Sequence, residues 1–190
     1  MTRIAILASG SGSNAESIMK AFENSNIIQI SLVISNNSNA GVLARADKFN
    51  VPNVVINSAQ AKEGLLLQTL LKCGADYIVL AGYMKLIPKS IIAAFEKKIL
   101  NIHPALLPKF GGKGMYGENV HKAVAEAKEK ESGITIHFVN NNYDEGAILF
   151  QKRVALSSLD SYKEIGAKVL KLEHEFYPQI IEKTILNAAH

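Results

Sequence analysis

Short apolar runs alternate with amphipathic segments along the first half of the chain. Compact runs that end at a glycine, such as Arg3–Ser9, are typical of strands buried on both faces of a parallel sheet. The strands predicted here are Arg3–Ser9, Ile27–Ser35, Asn53–Asn57, Asp76–Ala81 and Ile99–His103. The helices predicted between them are Ala15–Glu23 capped by Asn14, Val42–Phe49, Glu63–Lys72 closed by Gly74, and Lys89–Phe95 after Pro88. This order predicts an α/β fold, a mostly parallel twisted sheet with helices on both faces.

The alternation stops after His103. A loop over Pro104–Gly117 is followed by a predicted helix over Val120–Lys130 and by strands over Gly133–Asn140 and Ala147–Ala155. One long helix is predicted over Tyr162–Ala188, with a bend at Pro178. No linker or repeat interrupts this order, so we interpret residues 1–190 as a single domain.

Composition narrows the class of protein. The 190 residues are 48% apolar and 20% charged, as in a globular domain with a sizeable core, and no apolar run approaches a membrane span. The single cysteine, Cys73, excludes an internal disulfide and favours a reducing, cytoplasmic location. The net charge of +4 would help attract an anionic small substrate, although such a charge is also common in proteins without one, and the dispersed Lys and Arg argue against nucleic-acid binding. The five histidines lack zinc-site spacing, so we expect no metal.

A glycine loop follows the first strand. Ser9-Gly10-Ser11-Gly12-Ser13-Asn14-Ala15 has the Gly-x-Gly-x-x-Ala spacing that brings backbone amides to a phosphate at a helix N-terminus. The second strand ends at Ser35-Asn36-Asn37 without a carboxylate, which argues against a dinucleotide. The loop therefore predicts a site for one phosphate, with a plain tight turn as the alternative.

Polar side chains follow two later strands. Asn101 and His103 lie two residues apart and share one face of their strand, so an amide and an imidazole are positioned together. Such a pair can stabilise an oxyanion and shuttle a proton. Asp144 lies in a polar loop after the strand Gly133–Asn140, and beside His103 it would raise the pKa of that imidazole. The structural alternative is that these residues only shape turns.

Four segments together resemble a known family. Gly12-Ser13-Asn14, Ala81-Gly82-Tyr83-Met84-Lys85, Asn101-Ile102-His103-Pro104-Ala105-Leu106-Leu107-Pro108 and Tyr143-Asp144-Glu145-Gly146 occur in the order and spacing of the glycinamide ribonucleotide formyltransferases. The resemblance covers nearly the whole chain. It implies a Rossmann-like formyltransferase fold that moves a formyl group from 10-formyltetrahydrofolate to an amine in purine biosynthesis, without a metal.

The resemblance also implies residue roles. The implied catalytic residues are Asn101, His103 and Asp144. Of these, His103 is the proton donor and Asp144 is its partner. The implied ribonucleotide-binding residues are Gly12, Ser13 and Asn14 at the phosphate and Glu173 at the amine. The implied folate-binding residues are Met84, Lys85, Leu86, Ile87, Asn101, Asn140, Asn141, Asn142, Tyr143 and Asp144. Lys85 and Ala59 stand where many members carry arginine, which puts contacts to the folate tail in question.

Further expectations concern the loop, the other histidines and the alternatives. The segment Lys109–Gly117 is predicted to be a mobile lid, with a disordered surface loop as the alternative. His121 is predicted to face the site and His137 to be structural. A formyltetrahydrofolate hydrolase and the transferase that formylates initiator tRNA share the catalytic set, but those relatives usually add a second domain, so the length favours the small transferase. A non-catalytic phosphate-binding module of Rossmann type is the third alternative. We expect a monomer or a homodimer.

Overall fold

A seven-stranded sheet forms the centre of the protein, as described for residues 1–188 by a computed structural model. Its strands are β1 (Thr2–Ala8), β2 (Ile28–Ser35), β3 (Asn53–Val55), β4 (Tyr77–Leu80), β5 (Ile99–His103), β6 (Glu131–Phe138) and β7 (Ile148–Ala155). The helices are α1 (Ser13–Phe22), α2 (Gly41–Lys48), α3 (Ser58–Lys62), α4 (Leu65–Lys72), α5 (Lys89–Ala94), α6 (Glu118–Glu126) and α7 (Tyr162–Ala188).

The strand order is β3-β2-β1-β4-β5-β6-β7. The first five strands along the chain are parallel, whereas β6 pairs antiparallel with β5 and β7 antiparallel with β6. The antiparallel register places Asn101 opposite His137 and His103 opposite Thr135. The carboxyl end of β5 therefore lies beside residues of a strand that runs the other way.

Two apolar cores cover the two faces of the sheet. Alternation along β1 sends Ile4 and Ile6 into one core and Ala5 and Leu7 into the other, and all four are fully buried. The first core is completed by side chains of α1, α2, α6 and α7, the second by α3, α4 and α5. The prediction of a mostly parallel sheet with helices on both faces is confirmed.

A buried tyrosine fixes α7 against the sheet. The Tyr177 hydroxyl donates a hydrogen bond shared between the carbonyl oxygens of Leu80 (3.0 Å) and Leu100 (3.1 Å), which belong to β4 and β5. Buried hydroxyls need such partners, so this contact sets the position of the helix. One turn earlier on α7, Glu173 is thereby held near the carboxyl ends of these strands.

Two predicted local features are wrong. Asn14 does not cap α1: the capping position belongs to Gly12, with φ of +79°, and no side chain caps the helix. The predicted helix Glu63–Lys72 begins only at Leu65, because Gly64 has φ of +93° and separates α4 from the short helix α3. Both breaks occur at a glycine that adopts the left-handed conformation, which its missing Cβ permits at little cost.

None of the helices described in residues 1–188 combines the length and the apolar character needed to cross a bilayer.

Candidate active site

A cavity of about 270 Å³ opens at the carboxyl edge of the sheet. Most of the predicted site residues line it: Asn14, Met84, Lys85, Leu86, Ile87, Asn101, His103, Asn140, Asn142, Tyr143, Asp144 and Glu173. Gly12, Ser13 and Asn141 do not line it. The cavity lies where ligands bind in open α/β sheets, beyond the ends of the parallel strands.

Asp144 lies between two buried histidines. Its Oδ2 atom is 3.6 Å from His103 Nδ1, and its Oδ1 atom is 3.6 Å from His137 Nε2. The backbone amide of Gly112 donates a hydrogen bond of 2.9 Å to Asp144 Oδ2. The side chain of Asp144 is 12% exposed, so its charge acts on both rings with little screening by water.

The loop that carries Asp144 is folded tightly back on β6. Asp144 has φ of +55°, and a Cβ atom on Gly146 would lie 1.6 Å from the carbonyl oxygen of Phe138. Only glycine permits this approach of two backbones. The tight return brings a carboxylate that follows β6 back to His103 at the end of β5.

His103 is held by its other ring nitrogen as well. Nε2 lies 2.8 Å from the carbonyl oxygen of Phe110, and since a carbonyl only accepts, Nε2 carries the proton. Phe110 and Gly112 belong to the loop after β5, so that loop contacts both His103 and Asp144.

The pKa of His103 differs from the sequence prediction. Burial lowers it, and although the Asp144 carboxylate and the Phe110 carbonyl both raise it, the net pKa lies below that of an ordinary histidine. The expectation that Asp144 raises the pKa is right in sign for that one interaction, but the expected net rise is wrong. Desolvation of the imidazolium outweighs the attraction because the ring is only 3% exposed.

The carboxyl of Asp144 is shifted the opposite way. Burial raises its pKa, but the contacts with His137, His103 and the Gly112 amide together place it below the ordinary value. Asp144 is therefore a carboxylate at neutral pH.

Asn101 is oriented by His137. The amide nitrogen of Asn101 lies 3.2 Å from His137 Nε2, while His137 Nδ1 lies 2.9 Å from the Phe138 carbonyl oxygen. Nδ1 donates to that carbonyl, and Nε2 faces both the Asn101 amide and the Asp144 carboxylate, so its role as acceptor from Asn101 or donor to Asp144 depends on the tautomer of the ring. The Asn101 side-chain amide makes no other hydrogen bond among residues 1–188, so an N–H of Asn101 is available to a ligand in the cavity. The prediction that His137 is structural missed this position in the site.

Apolar side chains form one wall of the cavity. Ile87 is buried, whereas Met84 is 50% and Leu86 56% exposed. The Met84 amide donates to the hydroxyl of Ser9 (2.8 Å), which joins the loop after β4 to the loop after β1. These side chains give the cavity an apolar surface on which a flat ring can pack.

The glycine loop leads into an uncapped helix. The first intrahelical bond of α1 runs from the Glu16 amide to the Gly12 carbonyl (2.8 Å), so the amides of Ser13, Asn14 and Ala15 have no acceptor in the helix. Three free amides and the helix dipole make this end favourable for an anion.

At the same end of the cavity, Glu173 is 8% exposed. Asn14 Nδ2 donates a hydrogen bond of 2.9 Å to Glu173 Oε2, which couples α1 to α7. Burial raises the pKa of Glu173 to about 7, although the bond from Asn14 lowers it in part.

In the part of the chain that is described, no three His, Cys, Asp or Glu side chains group as metal ligands.

Known proteins resemble this chain in sequence and in fold. Residues 2–181 match the model of the formyl transferase family. The chain belongs to the formyl transferase family. Similar curated relatives include the phosphoribosylglycinamide formyltransferases of Haemophilus influenzae, with 38% identity over 96% of this chain and 86% of the relative, and of Arabidopsis thaliana (chloroplastic), with 41% identity.

The Arabidopsis alignment covers 94% of this chain, but the chain spans only 64% of that relative's length. Among solved structures, the phosphoribosylglycinamide formyltransferase of Anaplasma phagocytophilum superposes with a TM-score of 0.90 at 32% identity. That superposition covers 98% of this chain and 88% of the other. The family resemblance stated from the four sequence segments is confirmed.

Two further histidines lie at this site, and one of them differs from its predicted role. His137 and His121 both line the cavity, and the Nδ1 atom of His121 is buried without a hydrogen-bond partner among the described residues. The expectation for His121 agrees with this placement. The contact of His137 with Asn101 was not predicted from the sequence, because it depends on the antiparallel pairing of β5 and β6. The residues that connect these two strands do not indicate that register.

Proposed function

We propose that this protein transfers the formyl group of 10-formyltetrahydrofolate to the amine of glycinamide ribonucleotide, a reaction of purine biosynthesis. The observation that carries the proposal is the convergence of Asn101, His103 and Asp144 on one cavity in a chain of this family. The names of the relatives, phosphoribosylglycinamide formyltransferases, supply the substrate.

The proposed chemistry is acyl transfer through a tetrahedral intermediate. The lone pair of the amine attacks the formyl carbon, and the electrons of the carbonyl double bond move to oxygen. The free N–H of Asn101 and a ring N–H of His103 stabilise that oxyanion, because preformed donors in a buried site act with little screening. When the intermediate collapses, the folate nitrogen leaves and takes the proton that the attacking nitrogen gives up.

His103 has one N–H suited to this task. Nδ1 faces Asp144, so the Nε2 proton is the one to donate to substrate, and it now points to the Phe110 carbonyl. We propose that the formyl oxygen replaces Phe110 at this donor when the loop over Lys109–Gly117 closes as a lid. The developing oxyanion and the Asp144 carboxylate then both favour the imidazolium, which offsets the burial that lowers its pKa.

Each of the two substrates has its own set of proposed binding residues. The ribonucleotide extends out of the cavity past Asn14, so that its phosphate takes the free amides at the start of α1, in the loop of Gly12, Ser13 and Asn14, while its amine lies at Glu173. The pterin ring packs on Met84, Leu86 and Ile87, and its polar edge meets the segment 140–144. Lys85, exposed at the rim, gives the folate tail a single positive charge rather than a bidentate arginine contact.

One assay separates this function from its alternatives. The protein is mixed with 10-formyl-5,8-dideazafolate, glycinamide ribonucleotide is titrated in, and deformylation is followed by absorbance. We expect turnover only when the ribonucleotide is present. Formate release without an acceptor would indicate a hydrolase instead, and no turnover under either condition would indicate a non-catalytic binding module.

A further inference from the structure

The buried carboxyl of Glu173 and the half-buried amide of Asn14 both line the cavity, and together they have more acceptor atoms than donors. Asn14 gives its Nδ2 proton to Glu173 Oε2 (2.9 Å), and its Oδ1 atom is buried with no hydrogen-bond partner among residues 1–188. Within the same described part of the chain, no Lys, Arg or His side chain forms an ion pair with Glu173. The pair therefore has acceptor atoms without a donor, at a place where both residues line the cavity.

A ligand with several N–H groups satisfies this need. Buried acceptors that remain unpaired cost free energy, and a lone buried carboxylate costs more. An amine or ammonium group can donate to Asn14 Oδ1 and to Glu173 at once. The chemistry of this end of the cavity thus fits the reacting nitrogen of the proposed substrate.

The surroundings of Glu173 also affect the pKa of its carboxyl. On α7 its neighbours one turn away are Val169 and Tyr177, both fully buried, so the helix gives it an apolar setting. The other ionisable groups that line the same cavity are His103 of β5, His121 of α6, His137 of β6, Asp144 of the loop after β6, Lys85 of the loop after β4, and the tyrosines Tyr83, Tyr116 and Tyr143. Because burial dominates, the pKa of Glu173 is raised to about 7.

We propose that Glu173 is a further catalytic residue, the base that takes a proton from the substrate's ammonium group and so releases the free amine for attack. This rests on the proposed function. The N–H bond of the ammonium breaks, its electron pair stays on nitrogen as the nucleophilic lone pair, and an O–H bond forms on the carboxylate. After transfer, the formamide product is not basic, and Glu173 returns its proton to water.

The direction of this transfer follows from burial. An ordinary α-amino group has a pKa of about 7.7–8.0, so at pH 7 most of the substrate arrives protonated and unable to attack. In a desolvated site, a neutral amine beside a neutral carboxyl is favoured over a buried ion pair. A base whose pKa lies near the working pH is also the most effective one.

The test is the pH dependence of formyl transfer by Glu173→Gln. Glutamine mimics the protonated carboxyl in size and shape, so we expect the variant to fold, which circular dichroism and thermal unfolding check. We expect kcat at pH 7 to fall by about 10²-fold and the deficit to shrink steadily toward pH 9, where solution supplies the free amine. Glu175→Gln, an exposed carboxyl two residues along α7, is the matched control and should behave as wild type.

Other outcomes would overturn the proposal. A deficit that is equal at every pH, or a rise in KM with unchanged kcat, would make Glu173 a binding residue only. If the glutamine variant does not fold, Glu173→Asp decides: it retains a base, so it must keep a wild-type pH profile at lower kcat. Absence of transfer by the wild-type protein would instead refute the proposed function itself.

Discussion

At the scale of single residues, two opposing effects determine the pKa of His103. Burial lowers its pKa, and the Asp144 carboxylate 3.6 Å from Nδ1 raises it. Asn101 and His103 were recognisable from sequence because they alternate on one strand next to a specific motif. The net direction of the His103 pKa was not, because burial depends on the packing of the loop after β5.

Replacing Asp144 with asparagine tests the pairing. The uncharged amide no longer raises the pKa of His103, so the pKa falls further and less imidazolium exists at a given pH. We expect kcat at neutral pH to fall at least about tenfold, and the pH profile to move toward acid. The measurement is kcat from pH 5 to 9, with Glu145→Gln, the exposed neighbouring carboxyl, as control. An unchanged rate and profile would show that Asp144 does not act on His103.

At the scale of elements, most helices and strands were predictable to within a few residues. The strand Ile99–His103 and the helix Tyr162–Ala188 have their predicted bounds. The errors lie at Asn14 and Gly64, where a cap and a helix start depend on whether a glycine adopts positive φ. Tertiary contacts determine whether the glycine adopts positive φ, since Gly12 lies directly against Val42 of α2.

Two glycines of the first loop provide a matched pair for this claim. A Cβ atom on Gly12 would lie 2.5 Å from Val42 Cβ at φ of +79°, whereas a Cβ atom on Gly10 meets nothing within 4 Å. We expect Gly12→Ala to lower the free energy of unfolding by about 2–4 kcal/mol through backbone strain and overpacking. Gly10→Ala should stay within about 0.5 kcal/mol of wild type. Urea unfolding of both variants checks this, and equal stabilities would contradict the assigned turn.

At the scale of the whole molecule, the site is assembled from distant parts of the chain. The parallel half supplies Asn101 and His103 at strand ends, the antiparallel pair supplies His137 and Asp144, and α7 supplies Glu173. Sequence alternation predicted the parallel half, because buried parallel strands are continuous apolar runs. The pairing of β5 with β6 left no such trace, so the meeting of Asn101 with His137 emerged only from the structure.

The central claim is that the cavity holding Asn101, His103 and Asp144 performs formyl transfer. His103→Ala tests it most directly when kcat and the dissociation constant of glycinamide ribonucleotide are both measured. We expect kcat to fall by about 10²-fold or more while ribonucleotide binding changes little, because His103 interacts most strongly with the transition state. Weaker ribonucleotide binding at an unchanged kcat would contradict the account.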